Sequence, residues 1–245
     1  MPALDTGTLS PDRCLDTNTE LCRLPDPDIQ VIRDGPARAA QALILAHGAG
    51  QGSDSPFLQW FSVELARARL PGGLSIWRFD FPYMAMAKTT NRKRPPDRAT
   101  ILEAAWGQAI SEVRRQSPRL KRLFIGGKSM GGRIASMIAD HSGVDGLVCL
   151  GYPFHPPGQP EKLRTTHLAT LNTPALICQG ERDAFGSRPE SSGWRLADVI
   201  KFCWLADGDH NFKPRIKSGW TEEQNRVTAR EAILGFVGDL PRKPG

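Results

Sequence analysis

The stretch Leu123-Phe124-Ile125-Gly126-Gly127-Lys128-Ser129-Met130-Gly131-Gly132-Arg133 decides how the chain is read. Its opening apolar run, 123–125, predicts a strand, and Ile134, Met137 and Ile138 sharing one side of the segment that follows predict a helix. Between them, Gly127-Lys128-Ser129-Met130-Gly131 fits the pattern G-x-S-x-G, which lifts a serine hydroxyl above a sheet on a sharp strand-to-helix turn. The glycines let the backbone pass close to its neighbours, and the free NH groups of the helix N-terminus aim at developing negative charge. With 24 glycines in the chain, composition alone predicts roughly 0.1 chance occurrences of the pentapeptide, so the strand-helix setting matters as much as the letters. Gly127-Lys128-Ser129 also looks like the end of a phosphate-binding loop, but that loop needs a glycine where this chain has Arg122. For Lys128 two orientations are open, toward an acidic substrate or out into solvent.

Outward from this stretch, short apolar runs recur at 42–46, 74–79, 147–150, 175–178 and 202–205, as in strands covered on both faces. Helix signals lie between them. Ser55 and Pro56 open one with Phe57, Phe61 and Leu65 on its face. Thr100 and Glu103 have capping-box spacing before Leu102, Trp106, Ala109 and Val113. A last helix starts near Thr221, with Gln224 at the box position, and runs through Val227, Leu234 and Val237 to a stop near Pro241. Strands alternating with helices predict an α/β fold with a mainly parallel central sheet and helices on both faces. One domain over residues 26–245 is expected, preceded by an N-terminal segment, 1–25; this N-terminal region is expected to fray or to supply an edge strand around 29–33.

Composition narrows the function classes. A hydrophobic fraction of 40% and a charged fraction of 24% suit a soluble globular protein, and no apolar run reaches membrane-spanning length. The first residues lack the apolar core of a secretory signal, which makes an intracellular, cytoplasmic location the default. Five cysteines without a CxxC pair, three of them (Cys149, Cys178, Cys203) inside apolar runs, predict buried free thiols rather than disulfides or zinc. The net charge of +6 concentrates at 88–98, where Arg92, Lys93 and Arg94 adjoin Pro95, Pro96 and Asp97 without aromatics. That mixture predicts a solvated loop, and no nucleic-acid partner is expected.

A serine hydroxyl needs a neutral imidazole to take its proton and a carboxylate to orient that imidazole. Downstream of Ser129, Asp183 follows the run 175–178 in Gln179-Gly180-Glu181-Arg182-Asp183, and His210 follows the run 202–205 in Asp207-Gly208-Asp209-His210. The order Ser129, Asp183, His210, each just past its own strand, places all three at one end of the sheet. Asp207 and Asp209 are rival acids, but their adjacency to His210 makes their geometry less natural. His47-Gly48-Ala49-Gly50 follows the first strong run and supplies a glycine-rich turn; the NH of Ala49 and the NH of Met130 are the expected oxyanion donors, on the order of 3 kcal/mol each. His47 is expected to shape that turn rather than to act in catalysis.

At this point the chain resembles the α/β-hydrolase superfamily, in its dienelactone-hydrolase-like branch, which includes testis-expressed hydrolase-like proteins and a subunit of a histone-acetylating complex. The resemblance rests on His47-Gly48-Ala49-Gly50, Arg78-Phe79-Asp80-Phe81-Pro82-Tyr83, residues 126–133, Gly151-Tyr152-Pro153-Phe154-His155-Pro156-Pro157, residues 180–183 and Asp209-His210. It implies the α/β-hydrolase fold and the trio Ser129, Asp183 and His210, but hardly a substrate. The ordered trio and the paired oxyanion loops themselves point to a serine hydrolase of esters or thioesters, with a small-molecule acyl substrate and no cofactor or metal required. Dienelactone hydrolases proper use a cysteine nucleophile where this chain has Ser129, so their chemistry is not carried over. About 20 residues follow Gly151 where cap-bearing relatives insert a lid, which predicts a small or absent lid. Tyr152, Phe154, Met84 and Met86 fall on loops expected to approach the pocket. A non-catalytic scaffold, as the complex-subunit relatives suggest, and acyl transfer to an acceptor other than water are the alternative functions.

Overall fold

The structure, a computed structural model, describes residues 29–240; the proposed segment 1–25 and Pro241 lie outside the described residues. Seven strands form one sheet: β1 (Val31–Asp34), β2 (Gln41–Ala46), β3 (Leu74–Phe79), β4 (Arg122–Lys128), β5 (Gly146–Leu150), β6 (Ala175–Gly180) and β7 (Ile200–Leu205), in the spatial order β1-β3-β2-β4-β5-β6-β7. All neighbours are parallel except β1, which pairs antiparallel with β3 at the edge. Every residue of β2, β3, β5 and β6 is buried, as expected of strands covered on both faces.

Five helices provide that cover: α1 (Pro56–Ala66), α2 (Pro82–Thr90), α3 (Ala99–Gln116), α4 (Met130–Ile138) and α5 (Glu222–Asp239). Phe57, Leu58, Phe61 and Leu65 of α1 and Ala229, Ile233 and Val237 of α5 pack with Leu43, Leu45 and Ile76 on one face. On the other face Trp106, Ala109 and Val113 of α3 and Ile134 and Ala135 of α4 pack with Ile44, Trp77 and Ile125. The crossovers reverse direction between β2 and β4, and it is outside the carboxyl ends of strands at such a switch point that open α/β sheets hold their ligands.

Local signals set some helix ends and missed others. The Ser55 hydroxyl accepts the Leu58 NH at 3.4 Å at the start of α1, and Thr221 with Gln224 forms a complete capping box on α5. The box expected at Thr100 does not form, because α3 starts two residues earlier, with Arg98 rather than Thr100 at the cap and no side-chain bond there. Along α5 the buried stripe is Asn225, Ala229, Ile233 and Val237, at i, i+4 spacing, whereas Val227 and Leu234 are only half-buried. Helix α2 is a correction: the segment holding Met84 and Met86 is helical, not loop. Of its residues only Tyr83 is buried, and the Tyr83 NH is satisfied at 2.9 Å by the Asp97 carboxylate fourteen residues on.

Candidate active site

Ser129 stands between β4 and α4 with φ 51° and ψ −116°. A non-glycine residue in this region costs about 1–3 kcal/mol and persists only where its surroundings enforce it. Two features do so here. The Ser129 NH donates to the Leu150 carbonyl at the end of β5 at 3.0 Å, and Gly127, at φ 149°, brings its backbone against β2 so closely that a Cβ would sit 2.2 Å from the Ala46 oxygen. The serine is thereby held at the carboxyl end of the sheet, at the N-terminus of α4.

Asp183 and His210 arrive on the loops after β6 and β7 and meet: His210 Nδ1 lies 2.8 Å from Asp183 Oδ2. A carboxylate can only accept, so Nδ1 carries the proton and Nε2 is left as the basic nitrogen. Asp183 is 1% exposed. Its other oxygen accepts the Phe185 NH at 2.8 Å, and Gln179 Nε2 lies 3.0 Å from Oδ2. Gln179 in turn is fixed by the Tyr152 NH, which donates to its Oε1 at 2.7 Å. Burial pushes His210 below the usual histidine range against the pull of the Asp183 hydrogen bond, and the positive charge of Lys128 works in the same direction as burial. Ser129 Oγ and His210 are not hydrogen-bonded to each other among the described residues; such contacts often tighten only with substrate bound. The rival carboxylates are otherwise engaged, Asp207 with Arg182 and Arg215 and Asp209 with the NH groups of Asn211 and Lys213.

The loop after β2 sits beside the serine, since a Cβ on Gly48 would lie 3.5 Å from Ser129 Cβ. His47 is fully buried and shapes this turn: Nδ1 donates to the Gly48 carbonyl at 2.7 Å and Nε2 accepts the Phe81 NH at 3.0 Å. Burial holds its pKa below the usual value, which suits a neutral ring with one donor and one acceptor. The Tyr83 hydroxyl lies 3.3 Å from the Gly48 carbonyl and 3.1 Å from that of Ala49, so both carbonyls of the turn are engaged. Among the described residues neither the Ala49 NH nor the Met130 NH has a partner.

Tyr152 and Phe154 do not line an open site. Both are 0% exposed; Phe154 stacks on Trp194 with ring centroids 3.8 Å apart, and the Tyr152 hydroxyl bonds the Arg164 carbonyl at 3.2 Å. The expectation that they approach a ligand is corrected, because the chain after β5 turns into the core. A second serine-histidine contact lies nearby, Ser136 Oγ to His167 Nε2 at 2.8 Å. Ser136 is buried, its hydroxyl also donates to the Arg133 carbonyl, and among the described residues no carboxylate contacts His167.

Three supporting residues lacked any local signal: Gln179, Tyr83 and Lys128. The partners of Tyr83 and Lys128 lie far along the chain, and Gln179, only four residues before Asp183, is set in place by the distant Tyr152 NH. Lys128, for which two exposed orientations were open, takes neither: it is 8% exposed, and its Nζ donates to the His210 backbone carbonyl. The basic segment after α2 is solvent-exposed, whereas Lys88 is tied to Asp54 and Asp80. Among the described residues no helix is long and apolar enough to cross a membrane, and no three side chains form a metal-binding group.

Residues 39–238 match the family model described as an alpha/beta hydrolase domain. Among solved structures, the chain is similar to an α/β serine hydrolase without lid from Xanthomonas campestris, at TM-score 0.64 and 18% identity over 88% of this chain and 91% of that one. It is similar also to a dienelactone hydrolase from Anabaena variabilis, at TM-score 0.63 and 19% identity over 86% and 93%. A serine hydrolase homologue from Coxiella burnetii superposes at TM-score 0.62 with 14% identity over 84% and 90%.

Proposed function

Because the chain belongs to the α/β-hydrolase family, we propose that it is a serine hydrolase that cleaves an ester or thioester through an acyl-Ser129 intermediate. One observation carries this proposal: the 2.8 Å contact of His210 Nδ1 with a buried Asp183, beside a serine held at positive φ where a strand becomes a helix. In the first half-reaction Ser129 Oγ attacks the acyl carbon while its proton passes to His210 Nε2. The Asp183 carboxylate stabilises the imidazolium without taking a proton. The NH groups of Ala49 and Met130 receive the oxyanion. Collapse breaks the acyl-oxygen or acyl-sulfur bond, and the leaving alcohol or thiol departs with the proton from His210. A water then repeats the sequence on the acyl-serine, returning the acid and free Ser129.

The segment 151–174 between β5 and β6 carries one short helical turn, Thr166–Thr170, which suits an open, lidless site and a small acyl substrate. A fluorophosphonate probe followed by peptide mass spectrometry tests the proposal. Stoichiometric labelling of Ser129, abolished in Ser129→Ala and in His210→Ala, is expected. Labelling of Ser136 instead would transfer the nucleophile to the Ser136-His167 pair, and a folded protein left unlabelled would favour a binding role for the hydrolase fold.

A further inference from the structure

Lys128 precedes Ser129 directly and closes β4, yet its side chain is buried. Lysine is almost never buried without a charged partner, because its ammonium loses hydration that only a strong acceptor replaces. Here that acceptor is a neutral carbonyl, that of His210, and among the described residues no carboxylate forms an ion pair with Lys128. Two rings flank the ammonium, Phe57 from α1 at 5.3 Å and Phe212 at 5.9 Å, an arrangement that favours a cation. Gly151, at φ 67°, leaves the space: a Cβ there would stand 3.0 Å from both Lys128 Nζ and the His210 oxygen.

We propose that Lys128 is a positioning residue for the general base, tying the His210 backbone to the strand that carries Ser129. The proposal rests on the serine-hydrolase reading above. For the fold alone, a hydrophobic side chain at this position would serve as well or better, since burying an ammonium against neutral partners opposes stability. What an apolar side chain would not supply is the tie. Lys128 pairs in register with Leu150, whose carbonyl accepts the Ser129 NH, so one residue joins the serine turn to the histidine loop.

The charges facing this lysine are few. Asp183 and Asp209 favour the ammonium, but burial outweighs them and lowers its pKa to about 7; Arg226 of α5 lies on the same Phe57 ring at 5.7 Å. His210 faces Asp183, Asp209 and Lys128. Below neutrality Lys128 is charged, and its field opposes a second proton on the imidazole.

The test is the rate of fluorophosphonate labelling at Ser129 as a function of pH in the unaltered protein, Lys128→Met and Lys128→Gln. Lys128→Met is expected to lower the plateau rate about 10-fold, through loss of the hydrogen-bond donor that holds the His210 carbonyl, and to move the acidic limb to higher pH. Lys128→Gln keeps an N–H donor without charge; it should recover part of the plateau rate and keep the displaced limb. Variants that label as the unaltered protein does overturn the proposal, and so does a lowered plateau with an unmoved limb, which marks a purely structural lysine. Should the variants not fold, NMR titration of the unaltered protein decides: ionisation of Lys128 should perturb His210, and a Lys128 that titrates with the surface lysines and leaves the His210 signals unmoved overturns the proposal. An unaltered protein that never labels refutes the serine-hydrolase reading instead, and the two failures are thereby distinguished.

Discussion

Asp183 gives one oxygen to the Phe185 NH and the other to His210 and Gln179, so an amide in its place, its oxygen kept on the Phe185 NH, would offer the imidazole a donor. Asp183→Asn is therefore expected to lower kcat by about 10⁴-fold through the wrong tautomer, with an unchanged circular dichroism spectrum. At Tyr83, removal of one hydroxyl releases the Gly48 and Ala49 carbonyls. Tyr83→Phe should slow turnover about 10-fold, the equivalent of one hydrogen bond, with KM little changed; a KM effect alone would place Tyr83 outside the oxyanion turn. Gly127→Ala combines an unfavourable φ with a Cβ 2.2 Å from the Ala46 oxygen. It should cost about 3 kcal/mol or more in a denaturation experiment.

Helix ends show which local signals had force. The Thr221 hydroxyl accepts the Gln224 NH at 3.1 Å and the Gln224 side chain accepts the Thr221 NH at 2.8 Å, so Thr221→Ala should cost about 1 kcal/mol. Thr100 has the same sequence spacing to Glu103 but lies inside α3; Thr100→Ala should change stability by less than about 0.5 kcal/mol. Equal losses in urea titrations of the two variants would contradict the helix start at Ala99. In α2 the first-turn NH of Tyr83 depends on Asp97. No window of neighbouring residues contains that bond, and this is why the helix was not legible in the sequence.

For the molecule as a whole, proton binding sets the pH response. His47, His167 and His210 are all held below 6.5, each mainly by burial. Lys128 falls from 10.5 to about 7 for the same reason. In each case the unfolded chain binds a proton that the folded one releases, so stability rises with pH across the gap between the two values. The melting temperature should therefore climb above about pH 7 because of Lys128 until, above about pH 9, the Cys149 thiol, which burial pushes up, opposes the rise; it should fall as pH drops below 6.5 because of the histidines. Lys128→Met should flatten the alkaline part of that curve and, by releasing the His210 pKa upward, also soften the acidic fall in part, the His47 and His167 shares remaining. A curve unchanged above pH 7 would mean that Lys128 is solvated.

The sequence by itself determined the alternation of strands and helices, the serine turn at Gly127 to Gly131 and the order Ser129, Asp183, His210. These are local matters: apolar runs, glycine spacing and capping residues act within a few positions, and a parallel sheet puts all of its βα turns at one end. Tertiary structure alone decided what surrounds those residues. Gln179, held behind Asp183 by Tyr152, Tyr83 and His47 behind the Gly48 turn, and Lys128 beneath His210 depend on bonds across 27 to 82 positions of chain. The burial of Tyr152 and Phe154 was equally out of reach, because the path after β5 depends on what Trp194 and Gln179 offer it. A side chain's partner, and with it its charge state, is fixed by packing between elements, which a linear pattern does not encode.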